Sequence, residues 1–229
     1  KEIMSKSVNI SGSKLPIEEL HLSFLTNKLR TEYGFLESSK RNIPVNDKNE
    51  VMPMYTYPCY EWLNSIDWTN SKVFEYGTGY STIWWQNKNV DYHAVEDNKQ
   101  WYDMIEDKTN INYKPGLHKY IQSIYDYNYK FDVIVIDGVF RFDCIKPALD
   151  KIKNDGIIIV DNTDWHRNSK EELDKSDLIP IHFHGFKPLH VDSETTSCYI
   201  NRKFNKKAKS IIPMAGTVRE QHETDKSII

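Results

Sequence analysis

The pattern of apolar and polar residues changes character at about Lys72. From there on, short apolar runs that end in Gly or Asp alternate with stretches of helical period. The runs at 133–136 and 157–160 contain no polar residue, which is typical of parallel strands covered on both faces. The pattern therefore predicts an α/β fold with a doubly wound, Rossmann-like and mostly parallel sheet of seven strands. Its ligands would bind at the carboxyl ends of the strands.

The individual elements follow from the period of the apolar positions. The predicted strands are at 72–76, 91–95, 112–114, 131–136, 156–160, 179–183 and 195–201. Helices are predicted between the first five of these strands, at 81–87, 99–107, 119–124 and 143–153. One strand of the final pair is expected to run antiparallel to the others.

The segment before the sheet has a different pattern. Apolar residues recur at helical spacing from Ile17 to Leu29 behind Pro16, which predicts one amphipathic helix. Residues 38–54 contain two prolines and no period, so they are expected to form a linker or lid. A second short helix is predicted around 58–66.

These patterns divide the chain into three parts. An N-terminal helical cap and linker is predicted at 1–54, the α/β domain at 55–202, and a C-terminal tail of weak periodicity at 203–229. A chain of 229 residues is long enough to bury a sizeable core in one domain.

Composition narrows the class of partner. With 39% hydrophobic and 28% charged residues, the chain has the composition of a soluble globular protein. Thirty basic and thirty-three acidic residues give a net charge of −3, without the basic excess of a nucleic-acid-binding protein. No stretch approaches the roughly 20 apolar residues of a membrane span. Nucleic acid and membrane are therefore not expected as partners, whereas a homo-oligomer is compatible with this composition.

The cysteines bear on the compartment. Cys59, Cys144 and Cys198 are too few and too scattered for a disulfide framework, and buried thiols are expected. The first residues lack the apolar core of a secretory signal. A cytoplasmic location is the resulting expectation.

The first chemical signal is a Gly-x-Gly turn, Gly77-Thr78-Gly79, between a predicted strand and a predicted helix. The two glycines let the backbone turn sharply and approach a ligand, while the start of the helix presents free N–H groups. A dinucleotide-binding fingerprint would have a third glycine where this chain has Thr82, so pyrophosphate binding is not expected. An ordinary strand–turn–helix junction is the alternative.

The second signal is an acidic residue at the end of the next predicted strand. Glu96 lies nineteen positions after Gly77. A carboxylate at that strand end can accept hydrogen bonds from both hydroxyls of a ribose. The alternative is a solvated carboxylate at the start of a loop, which is the expected role of Asp97.

The third signal is a pair of strand endings, Asp137 and Asp161-Asn162. These residues follow two apolar strands that should be neighbours, so their side chains are expected to meet. Two carboxylates and an amide offer hard oxygen ligands for a divalent cation. The same groups could instead orient a substrate hydroxyl.

Together these residues resemble the class I methyltransferases that use S-adenosylmethionine (SAM). The run 74–81 is similar to the glycine motif of that family, Glu96 to its ribose-binding acid, and 131–162 to its fourth and fifth strands. The resemblance covers about residues 72–162. It implies that SAM is the cofactor and that it is bound by Glu75, Gly77, Gly79, Ser81, Glu96 and Asp137.

Within that class, Asp137 and the Asp161-Asn162 pair resemble the metal-binding residues of cation-dependent O-methyltransferases, which act on phenolic or sugar hydroxyls. The sequence departs from those enzymes at 138–141, where Gly-Val-Phe-Arg stands in place of further acids and a Lys. Two schemes follow. Either Asp137, Asp161 and Asn162 hold Mg²⁺ or Mn²⁺, or the same residues contact the substrate directly, which is the scheme that the departure favours.

The reaction implied by the resemblance is transfer of a methyl group to a hydroxyl of a small-molecule or glycan acceptor. Asp137, Asp161 and His166 are the expected catalytic residues. His166 is the candidate base because an imidazole can accept a proton near neutral pH. A surface position at the start of a helix is the alternative for His166.

Three residues are expected to contact the acceptor. Arg141 could bind an anionic group through its planar fork, or simply cap a carboxylate. Asn162 lies beside Asp161, and Tyr57 could line the entrance. The segment 185–188 could form a loop over the pocket. Tryptophans on the predicted helices are expected to pack in the core: Trp84, Trp85 and Trp101.

Two rival functions stay open at this point. Another transferase of the same fold, acting by N-methyl or aminopropyl transfer, would have an acidic pocket around an amine. A non-catalytic protein that keeps the fold to bind a partner would fail to bind any adenosyl ligand.

Overall fold

The computed structural model describes residues 7–10, 13–209 and 213–216. The strands in these ranges are β1 (Ser7–Ile10), β2 (Ser13–Pro16), β3 (Lys72–Tyr76), β4 (Asp91–Glu96), β5 (Ile111–Tyr113), β6 (Phe131–Ile136), β7 (Ile152–Val160), β8 (Ile179–Gly185) and β9 (Glu194–Ile200). The α-helices are α1 (Ile17–Thr31), α2 (Phe35–Arg41), α3 (Tyr57–Asn64), α4 (Tyr80–Gln86), α5 (Lys99–Met104), α6 (Leu117–Gln122), α7 (Arg141–Lys151) and α8 (Arg167–Asp174). None of the helices in these ranges has the length and apolar character needed to cross a membrane.

The main sheet has seven strands in the order β5-β4-β3-β6-β7-β9-β8. Strands β3 to β7 pair in parallel, and β9 runs antiparallel between β7 and β8. The predicted Rossmann-like, mostly parallel sheet is confirmed, as is the antiparallel member of the final pair. The strand order reverses direction at β3, so a crevice opens beyond the carboxyl ends of β3 and β6.

The two faces of the sheet bury separate apolar clusters. Val133 and Val135 belong to one cluster, whereas Ile134 and Ile136 of the same strand belong to the other. Successive side chains of a strand point to opposite faces, so a strand with helices on both sides must be apolar at every position. The central strands are therefore rigidly held, and their carboxyl ends form a fixed base for the loops that follow.

The N-terminal part differs from the predicted helical cap in two places, the first being the antiparallel pair of β1 and β2, which was not predicted. Residues 38–54, predicted as a linker or lid, instead contain the end of α2 and several buried side chains, among them Ser38, Val45 and Met52. The Ser38 hydroxyl donates to the Val45 carbonyl at 3.0 Å and accepts from the Val45 N–H at 2.9 Å. These two bonds close the segment on itself, a local satisfaction of backbone groups that apolar periodicity does not reveal.

The bounds of other helices and strands also differ from the prediction. The predicted helix at 99–107 ends at Met104, and β7 begins at Ile152, four residues before the prediction. Helix α8 was not predicted, because only Ser169 and Leu173 of its polar sequence are buried. Residues 1–6 and 11–12 of the predicted cap lie outside the described residues.

The predicted tail begins by packing against the domain. Ile66 forms an antiparallel bridge with Ala208, and the Lys209 N–H donates to the Ser65 carbonyl at 2.5 Å. The Lys206 ammonium lies 3.4 Å from Asp132, at the start of β6. Positions 210–212 and 217–229 of the predicted tail lie outside the described residues.

Candidate active site

A cleft of about 970 Å³ opens at the carboxyl edge of the sheet. The loops after β3, β4, β6 and β7 and the connection from β8 to β9 all contribute to its walls. It brings together most of the predicted site residues: Gly77, Gly79, Ser81, Glu96, Asp137, Arg141, Asp161, Asn162 and His166. Glu75 and Tyr57 do not line it.

The two glycines of the turn after β3 have different roles. Gly77 has a φ of +92°, and a Cβ there would lie 2.8 Å from the Cα of Gly138. It is therefore required by the close approach of two strand ends. A Cβ on Gly79 would meet only the Trp101 ring, at 3.8 Å and 3.9 Å. Gly79 therefore lines the cleft within contact distance of the Trp101 ring, and its small size is not required by a backbone clash.

Glu75 lies beneath this turn, fully buried. Its carboxylate accepts hydrogen bonds from Ser81 Oγ at 2.6 Å, Thr82 Oγ1 at 2.8 Å and the Tyr92 hydroxyl. Burial raises the pKa of Glu75 to about 7, although the three hydroxyls act in the opposite direction. Glu75 therefore ties the start of α4 to the sheet and shapes the turn from below.

Glu96 fastens two of the loops to each other. One carboxylate oxygen accepts from the Thr78 N–H at 2.5 Å and the Thr78 hydroxyl at 3.0 Å. The other accepts from the N–H groups of Asp97 and Asn98 at 2.9 Å and 2.8 Å. Burial raises the pKa of Glu96, and these bonds oppose the rise. Of the four donors only the Thr78 hydroxyl can rotate away, which would free one acceptor position for a ligand hydroxyl.

Trp101 corrects one sequence expectation. Trp84 and Trp85 are buried as predicted, but Trp101 is 45% exposed and lines the cleft opposite Gly79. Helix α5 starts directly after the strand end, where Asn98 caps it by accepting from the Gln100 N–H at 2.8 Å. Its first turn therefore lies at the rim of the cleft instead of over the core.

On the opposite side of the cleft, Arg141 joins the ends of β6 and β7. It donates to the main-chain carbonyls of Asp137 at 3.2 Å, Gly138 at 3.0 Å and Asp161, and to the side chains of Asp137 at 2.9 Å and Asn162 at 3.3 Å. A guanidinium has five N–H donors, so all of them are used within the protein. Of the two predicted roles for Arg141, this geometry matches the capping of a carboxylate.

Asp137 is the least enclosed of the carboxylates at these strand ends. Its side chain retains some exposure to the cleft. Burial raises the pKa of Asp137 to about 6, whereas the neighbouring Arg141 acts to lower it. Asp137 is therefore ionised at neutral pH and available at the cleft surface.

Sequence reasoning missed the cation beside Asp161. Lys187 comes from the connection between β8 and β9, and its side chain is almost completely buried. Its ammonium lies 3.2 Å from Asp161 Oδ2 and also contacts Glu194 Oε2, while Asp161 Oδ1 accepts from Thr196 Oγ1 at 2.6 Å. Burial acts to lower the pKa of Lys187, but the two carboxylates outweigh it and the pKa is raised.

Glu194 extends this network to two further residues that line the cleft. Its Oε1 accepts from His190 Nδ1 at 2.5 Å, and its Oε2 accepts from Asn162 Nδ2 at 2.5 Å. Burial acts to raise the pKa of Glu194, but Lys187 and His190 lower it overall. Asn162 has a φ of +56°, a left-handed conformation that Asn tolerates better than most residues. The expectation that 185–188 forms a loop over the pocket was the one sequence signal for this cluster.

His166 lies at the start of α8 and lines the cleft beside Arg141. Its imidazole makes no hydrogen bond to a described residue. Burial lowers the pKa of His166, and the charge of Arg141 lowers it further. The imidazole is therefore neutral at physiological pH and able to accept a proton.

Tyr57 occupies a different surface from the one predicted. It is buried edge-on against Tyr33, with ring centroids 4.8 Å apart. Both rings belong to a separate apolar groove beside Leu25 and Phe186. Tyr57 therefore lies outside the cleft that contains the other predicted residues.

The three residues predicted as metal ligands do not form a ligand set. Asp137 is bound by Arg141, Asp161 by Lys187 and Thr196, and the Asn162 amide by Arg141 and Glu194. Within the described ranges, no group of three or more His, Cys, Asp or Glu side chains is arranged to hold a metal ion. The donor atoms that a cation would need are already engaged by two positively charged side chains.

Comparisons with known proteins give likenesses only among solved structures. No family model matches the chain, and no curated protein matches it. An O-methyltransferase from Bacillus cereus in complex with SAH is 19% identical with a TM-score of 0.46, over 57% of this chain and 74% of that one. A precorrin-6y C5,15-methyltransferase from Geobacter metallireducens is 15% identical with a TM-score of 0.46, over 57% and 82%. A spermidine synthase from Thermotoga maritima is 17% identical with a TM-score of 0.44, over 64% and 55%.

Proposed function

We propose that this protein is a SAM-dependent methyltransferase that acts on a hydroxyl group of a small-molecule or glycan acceptor. The observation that carries the proposal is a single cleft with two chemically distinct halves. One half consists of the glycine turn, Glu96 and Trp101, which we call the cofactor half. The other consists of Asp137, Arg141, Asp161, His166, Lys187, Glu194 and His190, which we call the acceptor half.

The cofactor half fits an adenosyl ligand. Gly79 lines the cleft without a side chain of its own, and the exposed Trp101 ring beside it offers an apolar face. Glu96 is the residue that would hold ribose hydroxyls, with the rotatable Thr78 hydroxyl as the donor to be displaced. The cleft volume lies within the range of small-molecule sites, which is about 300–1,000 Å³. When bound, SAM supplies a methyl group on a positively charged sulfur, which an oxygen nucleophile can take by in-line displacement.

The acceptor half supplies a proton acceptor and a charged frame. His166, neutral at physiological pH, takes the proton of the acceptor hydroxyl at its imidazole nitrogen. Asp137 faces the cleft and can accept a hydrogen bond from a second hydroxyl of the acceptor. Arg141 holds the ends of β6 and β7 together and has no N–H left for substrate.

The charge of the acceptor half bears on the class of acceptor. Three carboxylates, Asp137, Asp161 and Glu194, stand against two cations, Arg141 and Lys187, so one negative charge is in excess. This excess favours a neighbouring sulfonium and opposes a phosphate or carboxylate on the acceptor. The electrostatics therefore oppose an anionic acceptor and are compatible with a neutral hydroxyl compound, such as a phenol or a sugar.

An amine acceptor receives less support from the same residues. Amino-group transferases would need free carboxylates around the amine. Here Asp161 and Glu194 are engaged by Lys187, and Asp137 by Arg141. Amines nevertheless belong in the test, since they would identify the rival N-methyl or aminopropyl transfer.

The proposal is tested first by ligand binding and then by turnover. SAM and its demethylated product SAH should raise the melting temperature, because they bind only the folded state, and NAD should not. Methyl transfer from radiolabelled SAM to a panel of phenols, sugars and amines should then identify a hydroxyl acceptor, and His166→Ala should abolish most of the turnover. Equal shifts with NAD, or none with either adenosyl compound, would contradict the proposal.

A further inference from the structure

The position of Lys187 is unusual for a lysine. Its side chain is only 4% exposed, yet it lines the cleft beside the predicted acceptor site. Ammonium groups of lysines are almost never fully buried unless they are paired. Here the pairing is double, because Asp161 at the end of β7 and Glu194 at the start of β9 both contact the same nitrogen.

The Lys187 ammonium occupies the position between two carboxylates that a bridging metal ion occupies in a metal site. A cation between two carboxylates from adjacent strand ends neutralises them and holds them at a fixed separation. An ammonium has three N–H donors, and two of them are directed to Asp161 and Glu194. No further acceptor among the described residues engages the third.

We propose that Lys187 is the resident cation of the acceptor half and takes the place of a divalent metal ion there. Its ammonium pairs with both Asp161 and Glu194 and offsets one of their two negative charges, and its third N–H binds the acceptor oxygen. The second statement depends on the proposed methyltransferase function, whereas the first concerns the chain alone. A positive charge on that nitrogen would also stabilise the acceptor oxygen as its proton leaves.

The same geometry predicts what happens when the ammonium is removed. Lys187→Met keeps much of the side-chain volume but removes the ammonium from Asp161 and Glu194, beside the cleft that Asp137 lines. The hydrogen bonds from Thr196, Asn162 and His190 to these two carboxylates remain. Grouped carboxylate oxygens are the ligands that Mg²⁺ and Mn²⁺ prefer. The variant should therefore acquire a metal site of a kind that the described residues of the native chain do not form.

The experiment measures Mn²⁺ binding, by electron paramagnetic resonance, and melting temperature with and without Mn²⁺. The native chain should bind no Mn²⁺ and keep its melting temperature. Lys187→Met should melt earlier without metal, bind Mn²⁺, and regain about 5 to 10 °C at saturating Mn²⁺. Lys187→Arg, which keeps the charge, and Lys146→Met, at an exposed lysine paired with Asp150, should not respond to Mn²⁺.

Each outcome either supports or contradicts the inference about Lys187. Tight Mn²⁺ binding by the native chain would overturn the inference, as would a folded Lys187→Met that ignores Mn²⁺. If Lys187→Met does not fold alone, refolding with and without Mn²⁺ gives the same comparison: recovery only with the metal supports the inference, and equal failure counts against it. Binding of SAH, measured on the same samples, tests the proposed function separately, so either idea can fail alone.

Discussion

The two halves of the cleft hold their carboxylates in opposite ways. In the cofactor half, Glu96 is surrounded by neutral N–H and hydroxyl donors, as is Glu75 beneath it, and among the described residues neither carboxylate pairs with a cation. In the acceptor half, Asp137 pairs with Arg141, while Asp161 and Glu194 share Lys187. Burial raises the pKa of Glu75 and Glu96. In the acceptor half it also raises the pKa of Asp137, whereas Lys187 and His190 lower the pKa of Glu194.

This difference connects electrostatics with function. Neutral donors position a carboxylate without cancelling its charge, which suits a site for a cationic ligand with ribose hydroxyls. Cation pairing cancels most of the charge and fixes the strand ends, which suits a site where a proton and a methyl group move. The halves should therefore respond differently to substitution, one in ligand affinity and the other in stability.

The largest effect, on stability, is expected from removing the Arg141 guanidinium, which joins the ends of β6 and β7 in the acceptor half. Arg141→Met removes the partner of Asp137 and leaves the carbonyls of Asp137, Gly138 and Asp161 without their donors. Loss of one partner from a buried ion pair costs about 3–5 kcal/mol, which is an upper bound here because Asp137 keeps some exposure to the cleft. Urea unfolding should show this loss, while Arg167→Met, at an exposed arginine, should change stability little. Equal stability of both variants would mean that the acceptor half is not held by its ion pairs.

A smaller effect, in affinity, is expected from the cofactor half. Glu96→Ala removes the carboxylate proposed to accept ribose hydroxyls and should weaken SAH binding by about 1.5–3 kcal/mol, or roughly 10- to 100-fold. Titration calorimetry on variants with native circular dichroism measures it, with exposed Glu106→Ala as the control. Unchanged affinity in folded Glu96→Ala would leave Glu96 as a purely structural link between the loops.

The raised pKa of Glu75 predicts that the stability of the protein depends on pH. Its pKa rises from 4.5 to about 7 on folding, so the folded state holds the proton more tightly. The associated stability is complete below the unfolded pKa and is lost as the pH rises towards 7. Between about pH 5 and about pH 8, the native chain should lose about 2 kcal/mol relative to Glu75→Gln, which cannot ionise. Urea unfolding of both proteins across this pH range measures the difference. If their free energies of unfolding changed with pH in the same way, the raised pKa of Glu75 would be contradicted.

The smallest effect, on ligand affinity, is expected from replacing the exposed tryptophan of each half. Trp101 faces Gly79 in the cofactor half, and Trp165 lines the cleft on the acceptor side. Trp101→Ala should weaken SAH binding by about 1 kcal/mol and reduce the fluorescence change on binding. Trp165→Ala should leave both unchanged. A reversed result would exchange the assignment of the two halves.

Much of the fold could be predicted from the sequence, because it depends on local periods. Uninterrupted apolar runs at β6 and β7 identify strands covered on both faces, and a parallel sheet brings their carboxyl ends to one edge. Asp137 and Asp161 follow these two strands directly, and Glu96 is the last residue of the parallel strand β4, so their presence in one cleft was a consequence of strand order. Helix α8 and the packed segment at 38–54 were missed, since few of their residues are apolar.

The partners of each carboxylate were decided by the tertiary structure alone. Lys187 lies 26 positions beyond Asp161, on a connection that packs beside β7 only because β9 inserts antiparallel between β7 and β8. Trp101 reads as a core residue by period, yet its helix starts at the rim of the cleft. Sequence therefore determined which side chains stand at the edge of the sheet. Which of them are neutralised, and by what, depends on distances between segments far apart in the chain, and those distances exist only in the folded molecule.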